Sequence, residues 1–87
     1  PLQVVELVAG APARIATLGP NLAKGQVLQH VVKAGTWFGA FPAEGSAYSL
    51  VGCSVAPAFE FGDLEMGEHA KLLSEFPDAK TLIERLT

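Results

Sequence analysis

A single cysteine, Cys53, excludes an intrachain disulfide and any multi-cysteine metal site. It also makes a reducing compartment the simpler reading. Cations are few: six Lys and Arg stand against nine Asp and Glu, for a net charge of -3. The six (Arg14, Lys24, Lys33, Lys71, Lys80 and Arg85) are scattered and form no phosphate-binding stripe, so nucleic acid is not an expected partner. No apolar run approaches the about 20 residues of a membrane-spanning helix. No signal-peptide pattern of basic start, apolar stretch and small-residue cleavage site is found either. The expectation is a soluble, cytoplasmic chain with no membrane partner. Internal repeats, low-complexity tracts and long linkers are lacking, and so are the Gly-rich phosphate loop, the nucleophile elbow and the zinc-protease motif.

What is present is apolar residue. The 87 residues are 49% hydrophobic, with a mean hydropathy of +0.33, which excludes intrinsic disorder. A domain this small hides only about 60% of the surface its unfolded chain exposes, so its stability is marginal without help. High apolar content on a small body implies that part of the surface meets other protein, and a homodimer is expected. The chain opens at Pro1 directly on a strand-like segment. That opening is read as a chain whose beginning is absent.

From Leu2 to Phe61, short runs of Val, Leu, Thr and aromatics alternate with Gly, Pro and Asn clusters. The pattern predicts strands at about 2–8, 13–18, 27–32, 36–40, 47–56 and 59–65. Short, evenly spaced strands argue for an antiparallel sandwich or barrel. After Glu65 the period changes to about 3.6: His69, Leu72, Leu73 and Phe76 share one helical face, as do Ala79, Leu82, Ile83 and Leu86. Pro77 suits the first turn of a second helix, with Asp78 near the positive end of its dipole. The expected organisation is one domain over 1–87, with strands over 1–65 and a two-helix tail over 66–87 covering a barrel end or edge.

Three stretches together resemble cupin family five, a branch of the RmlC-like cupin superfamily of uncharacterised function. The first runs from Leu18-Gly19-Pro20-Asn21-Leu22 through Gly25-Gln26 and Gln29 to Ala34-Gly35-Thr36-Trp37. The most specific is Tyr48 to Pro57 (Tyr-Ser-Leu-Val-Gly-Cys-Ser-Val-Ala-Pro), followed by Phe59-Glu60-Phe61-Gly62-Asp63. The tail from Leu73 to Thr87 is similar to the family's terminal helices. The resemblance implies a mainly β fold: the C-terminal portion of a cupin-type jelly-roll barrel, followed by two short helices. It also implies that an N-terminal portion carrying the first cupin motif, with its His, Asp and Glu, is missing. Two positions depart from the cupin pattern: Lys33 stands where Pro is usual, and Phe38 stands where metal-binding cupins place a histidine. Phenylalanine cannot coordinate a metal, so no metal ligand and no cofactor is expected.

The polar residues are read against plain structural roles. His30 in an apolar strand and His69 on an apolar helical face lie far apart with no third ligand, so both are expected to be structural. Cys53 is expected in a buried strand, where a thiol behaves as a small hydrophobe; the resemblance makes it a cavity-lining position. Eight of nine carboxylates lie from Glu44 onward, and Glu60, Asp63, Glu65 and Glu68 fall within nine residues. On a regular strand Phe59, Phe61, Asp63 and Glu65 share a face. Asp63 is then either a carboxylate in an aromatic pocket or, with Glu65, part of a helix start. The residues expected to line a ligand cavity are Gln29, Trp37, Tyr48, Cys53, Phe59 and Asp63.

Three functions follow. The first is a barrel that binds a small molecule without catalysis. The second is a sugar or nucleotide-sugar isomerase or epimerase, for which Asp63 and Tyr48 are the candidate catalytic groups. The third is a structural component of an oligomer.

Overall fold

The computed structural model describes residues 1–87. Three antiparallel strands, β1 (Leu2–Leu7), β2 (Arg14–Leu18) and β3 (Trp37–Pro42), form one sheet in the order β2-β1-β3. Two helices follow, α1 (His69–Glu75) and α2 (Lys80–Leu86). The sheet and both helices arise where the sequence patterns place them. The barrel is not closed, and three expected strands are corrected: 27–32, 47–56 and 59–65 are not strands. The first is reduced to one parallel bridge between Leu18 and Val27. The last contains only a 3-10 turn at Phe61–Asp63.

Residues of extended propensity become a strand only when a neighbour completes the backbone ladder. β1 has such neighbours on both sides, with Val5 opposite Ile15 of β2 and Gly39 of β3. The turn from β1 into β2 passes through Gly10 at φ +73°, a left-handed conformation that glycine adopts without a Cβ penalty.

Pairing sorts the sheet into two faces. Gln3, Val5 and Leu7 share one with Ile15, Thr17, Trp37, Gly39 and Phe41; Leu2, Val4 and Glu6 share the other with Arg14, Ala16, Leu18, Phe38, Ala40 and Pro42. The helices cover the first. Val5 and Leu7 pack with Leu72, Ala79 and Ile83, and Trp37, Phe41, Phe76 and Leu86 close the rim of this core. Gly39 eases the approach of α2, because a Cβ there would come within 2.8 Å of a methyl of Leu86. Arg85 lies 4.1 Å from the centre of the Phe41 ring, a cation–π contact that ties the end of α2 to β3.

The two helices meet as the sequence predicts, with Pro77 opening a 3-10 turn, Pro77–Ala79, that feeds α2. His69 is corrected: it is exposed at the start of α1, and its Nδ1 lies 2.6 Å from Oγ1 of Thr87. That hydroxyl donates its one proton to the Ile83 carbonyl, so the imidazole Nδ1–H is the donor to Thr87. The hydrogen bond joins the start of α1 to the end of α2. No helix is long and apolar enough to cross a membrane.

Candidate functional site

The second face of the sheet carries the only buried ionisable residue of the chain. Glu6 is 8% exposed, in a strand whose other residues on that face are Leu2 and Val4. Desolvating a carboxylate is costly unless it is paired. The partner comes from the segment between β2 and β3. Val27 is anchored at the outer edge of β2 by hydrogen bonds with Thr17 and Gly19. The chain then crosses the face and brings Nε2 of His30 to 2.9 Å from Oε1 of Glu6. His30 thus lies in a crossing segment and not in a strand, and its ring is held by a carboxylate.

Around this pair the register supplies two further groups. Arg14 of β2 and Phe38 of β3 are the cross-strand neighbours of Glu6 on the same face. Phe38 is 63% exposed, an aromatic surface free to meet a ligand. The arrangement offers one buried carboxylate, one imidazole whose Nδ1 has no protein partner, one cation and one aromatic face. It can accept and donate hydrogen bonds to a neutral polar molecule, and its imidazole is oriented by an acid, as a general base requires.

The six expected cavity residues fall elsewhere. Gln29 is exposed and adjoins His30 in the chain. Trp37, half-buried, points to the helical side, where it shares a recess of about 50 Å³ with Glu65, Met66, Glu68, Lys71, Leu72 and Glu75. Tyr48, Phe59 and Asp63 are exposed, and no hydrogen bond joins their side chains to each other or to the Glu6–His30 pair. Cys53 is corrected, being exposed and not buried in a strand. Phe59 and Phe61 are neighbours as the alternation suggests, with ring centres 5.1 Å apart in an edge-on arrangement. Asp63 closes a 3-10 turn and does not open α1, which starts at His69. No group of three or more His, Cys, Asp or Glu is placed to hold a metal ion.

Glu6 itself had no signal in the sequence beyond being the one carboxylate before Glu44, an acid inside a Val-Val-Glu-Leu strand. That isolation in an apolar strand was the available clue, since Glu is almost never buried unless paired.

Polar groups over an apolar floor thus mark the second face of the sheet, and that sheet lies within a stretch matched by a known family. The sequence model of the Cupin superfamily (DUF985) matches residues 1–67, which takes in the whole sheet, the Glu6–His30 pair and the exposed segment that follows. The chain belongs to that family, whose function is unknown. No curated protein and no solved structure matches it significantly.

Proposed function

We propose that this cupin-superfamily chain binds a small neutral polar molecule, such as a sugar, on the sheet face that the helices leave free. One observation carries the reading: a carboxylate–imidazole pair is held on that face beside an exposed aromatic ring. Burial of an acid on a strand is costly for folding alone. Small-molecule sites combine apolar walls with a few convergent polar groups, and Glu6, His30, Arg14 and Phe38 supply both. Gln29 adds a second hydrogen-bonding side chain next to His30. In this reading Tyr48, Cys53, Phe59 and Asp63, all exposed, form the site's more distant wall, and Trp37, on the helical side of the sheet, takes no part in it.

The test is a thermal-shift screen against monosaccharides and nucleotide sugars, with the full chain and with Phe38→Ala. A ligand at 100 times its dissociation constant stabilises by about 2.7 kcal/mol, which raises the melting temperature of a domain this size by roughly 10 °C or more. Phe38 is exposed, so its truncation should leave the unliganded melting temperature nearly unchanged while reducing the shift. A shift of equal size in Phe38→Ala removes this face from the site.

A second reading, sugar isomerase or epimerase chemistry, is favoured by the orientation of His30 by Glu6. The imidazole Nδ1 would take the proton from substrate carbon and return it. Conversion of a sugar by the wild type that His30→Gln abolishes, with binding retained, would select this reading over binding alone. Asp63 and Tyr48 remain its candidates for the acid.

A further inference from the structure

The segment between β2 and β3 is fastened at its two ends and at one point between them. Its entry is rigid. Loop 19–27 is closed by backbone hydrogen bonds from Gly19 to Val27, from Val27 to Thr17, from Gly25 to Leu22, and from Lys24 and Gln26 to Asn21. The Gln26 side chain adds one more, its Oε1 accepting from the Asn21 N–H at 3.1 Å. The exit is the turn Lys33–Thr36, in which the Thr36 N–H donates to the Lys33 carbonyl and Gly35 stands at φ +79°. Between entry and exit, residues 28–32 make no backbone hydrogen bond. Their one side-chain bond runs from His30 to Glu6, and Leu28 and Val31 are largely exposed, so their packing does not hold them down.

The path of this segment follows from the register. Val27 sits at the end of the sheet where Leu2 and Gln3 pair with Leu18 and Thr17, whereas Trp37 pairs with Leu7 at the other end. The chain therefore runs diagonally across β1 on the side away from the helices. Beneath it lie Val4 and Glu6, both buried although neither belongs to the core under the helices. A stretch with few buried apolar contacts and unbonded backbone is the kind that opens locally in a native protein.

We propose that residues 28–32 are a strap that swings off the sheet as a unit, with His30 as its catch, and that this opening gates access to Glu6. While the strap is closed, His30 occupies Oε1 of Glu6 and the carboxylate is covered. A ligand reaches the acid only after His30 lets go. The hinges lie where the bonded parts end, at Leu28 and at the turn through Gly35, since a hinge is a few loop residues that absorb the change in backbone angle. Held by one link, the open form is a minor state of about 0.1–10%, and the apparent affinity of a ligand that needs it is reduced by that fraction. What enters rests on the reading of this face as a binding site. The opening does not, and it is measured with no ligand present, so its failure is distinct from the failure of that reading in the thermal-shift screen.

Thiol labelling of Val4→Cys and Val5→Cys, each combined with Cys53→Ser so that the introduced thiol is the only one, compares the two faces of β1. Val5 lies in the core under the helices, so its replacement should react only through global unfolding, at a rate that rises steeply with urea because much surface is exposed. The thiol of Val4→Cys should react through the strap, at a rate nearly flat in dilute urea. Adding His30→Gln should speed it at least about 10-fold. A second measure needs no change beneath the strap. Trypsin should cut after Lys33 roughly 10-fold faster in His30→Gln than in wild type, while cleavage after Lys24, in the bonded loop, keeps its wild-type rate. Labelling of Val4→Cys that is as steep in urea as that of Val5→Cys overturns the proposal, because the strap then leaves only with the whole fold. Cleavage that speeds equally after Lys24 and Lys33 overturns it too, since the pair would then hold the fold at large.

Discussion

Glu6 and His30 are 24 residues apart in the chain, yet their side chains meet at 2.9 Å on the face of the sheet opposite the helices. The pair does two things at once. It lets an acid sit inside an apolar strand, and it pins the segment between β2 and β3 across that face. Both side chains are largely covered: the Glu6 side chain alone is 11% exposed and that of His30 26%.

The pair should be coupled energetically. His30→Ala leaves a buried carboxylate without a partner, which costs about 1–3 kcal/mol. Glu6→Ala removes the acid that needed the partner. The double variant should then be more stable than the sum of the singles predicts, with a coupling of about 0.5–3 kcal/mol. Urea denaturation of the four proteins measures this. Additive effects would mean that the hydrogen bond contributes nothing to holding the crossing segment.

Packing of α2 on β3 should depend on the missing side chain at position 39. Gly39→Ala puts a methyl against both methyls of Leu86. Leu86 lies in the last turn of α2, where its side chain has room to turn away, so the cost should be at the low end for overpacking, about 1 kcal/mol. Combining the change with Leu86→Ala removes the clash, so the pair should be less destabilising than the two single effects added together. Equal additivity would show that α2 does not need a bare backbone at Gly39.

The core should be concentrated in very few residues. Ile83 is 1% exposed and joins the helices to Val5 and Leu7. Ile83→Ala should cost about 2–5 kcal/mol, a large fraction of the stability of so small a domain. It should lower the thermal midpoint sharply or abolish cooperative unfolding. Leu50→Ala, at a site 93% exposed, should stay within about 0.5 kcal/mol of wild type.

That contrast also explains which parts of the fold were legible in the sequence. β1, β2, β3 and both helices follow from local periodicity, because each finds its packing partner within the chain: Val5 and Leu7 under Leu72 and Ile83, β1 between its two neighbours. Residues 47–56 and 59–65 have equal strand propensity but no neighbouring strand to complete their ladder, so they remain irregular. The family was legible from the Tyr48 to Asp63 string, and the match over residues 1–67 agrees. The candidate site was not, because the partner of His30 is set by where the crossing segment travels, and no local pattern marks a contact spanning 24 residues. His69 and Cys53 were placed by the character of their neighbours in sequence. Tertiary structure put both at the surface.

Cys53 makes the exposed segment directly measurable. Its thiol is exposed, and an exposed thiol reacts with a disulfide reagent at a rate set by its access and its thiolate fraction. In native buffer labelling should therefore need no opening of the fold, and its rate should be close to that of the same protein unfolded in urea. Ile83→Ala, which loosens the core, should leave the rate unchanged for the same reason. A rate that rises steeply in urea would mean that residues around Cys53 are covered in the native protein.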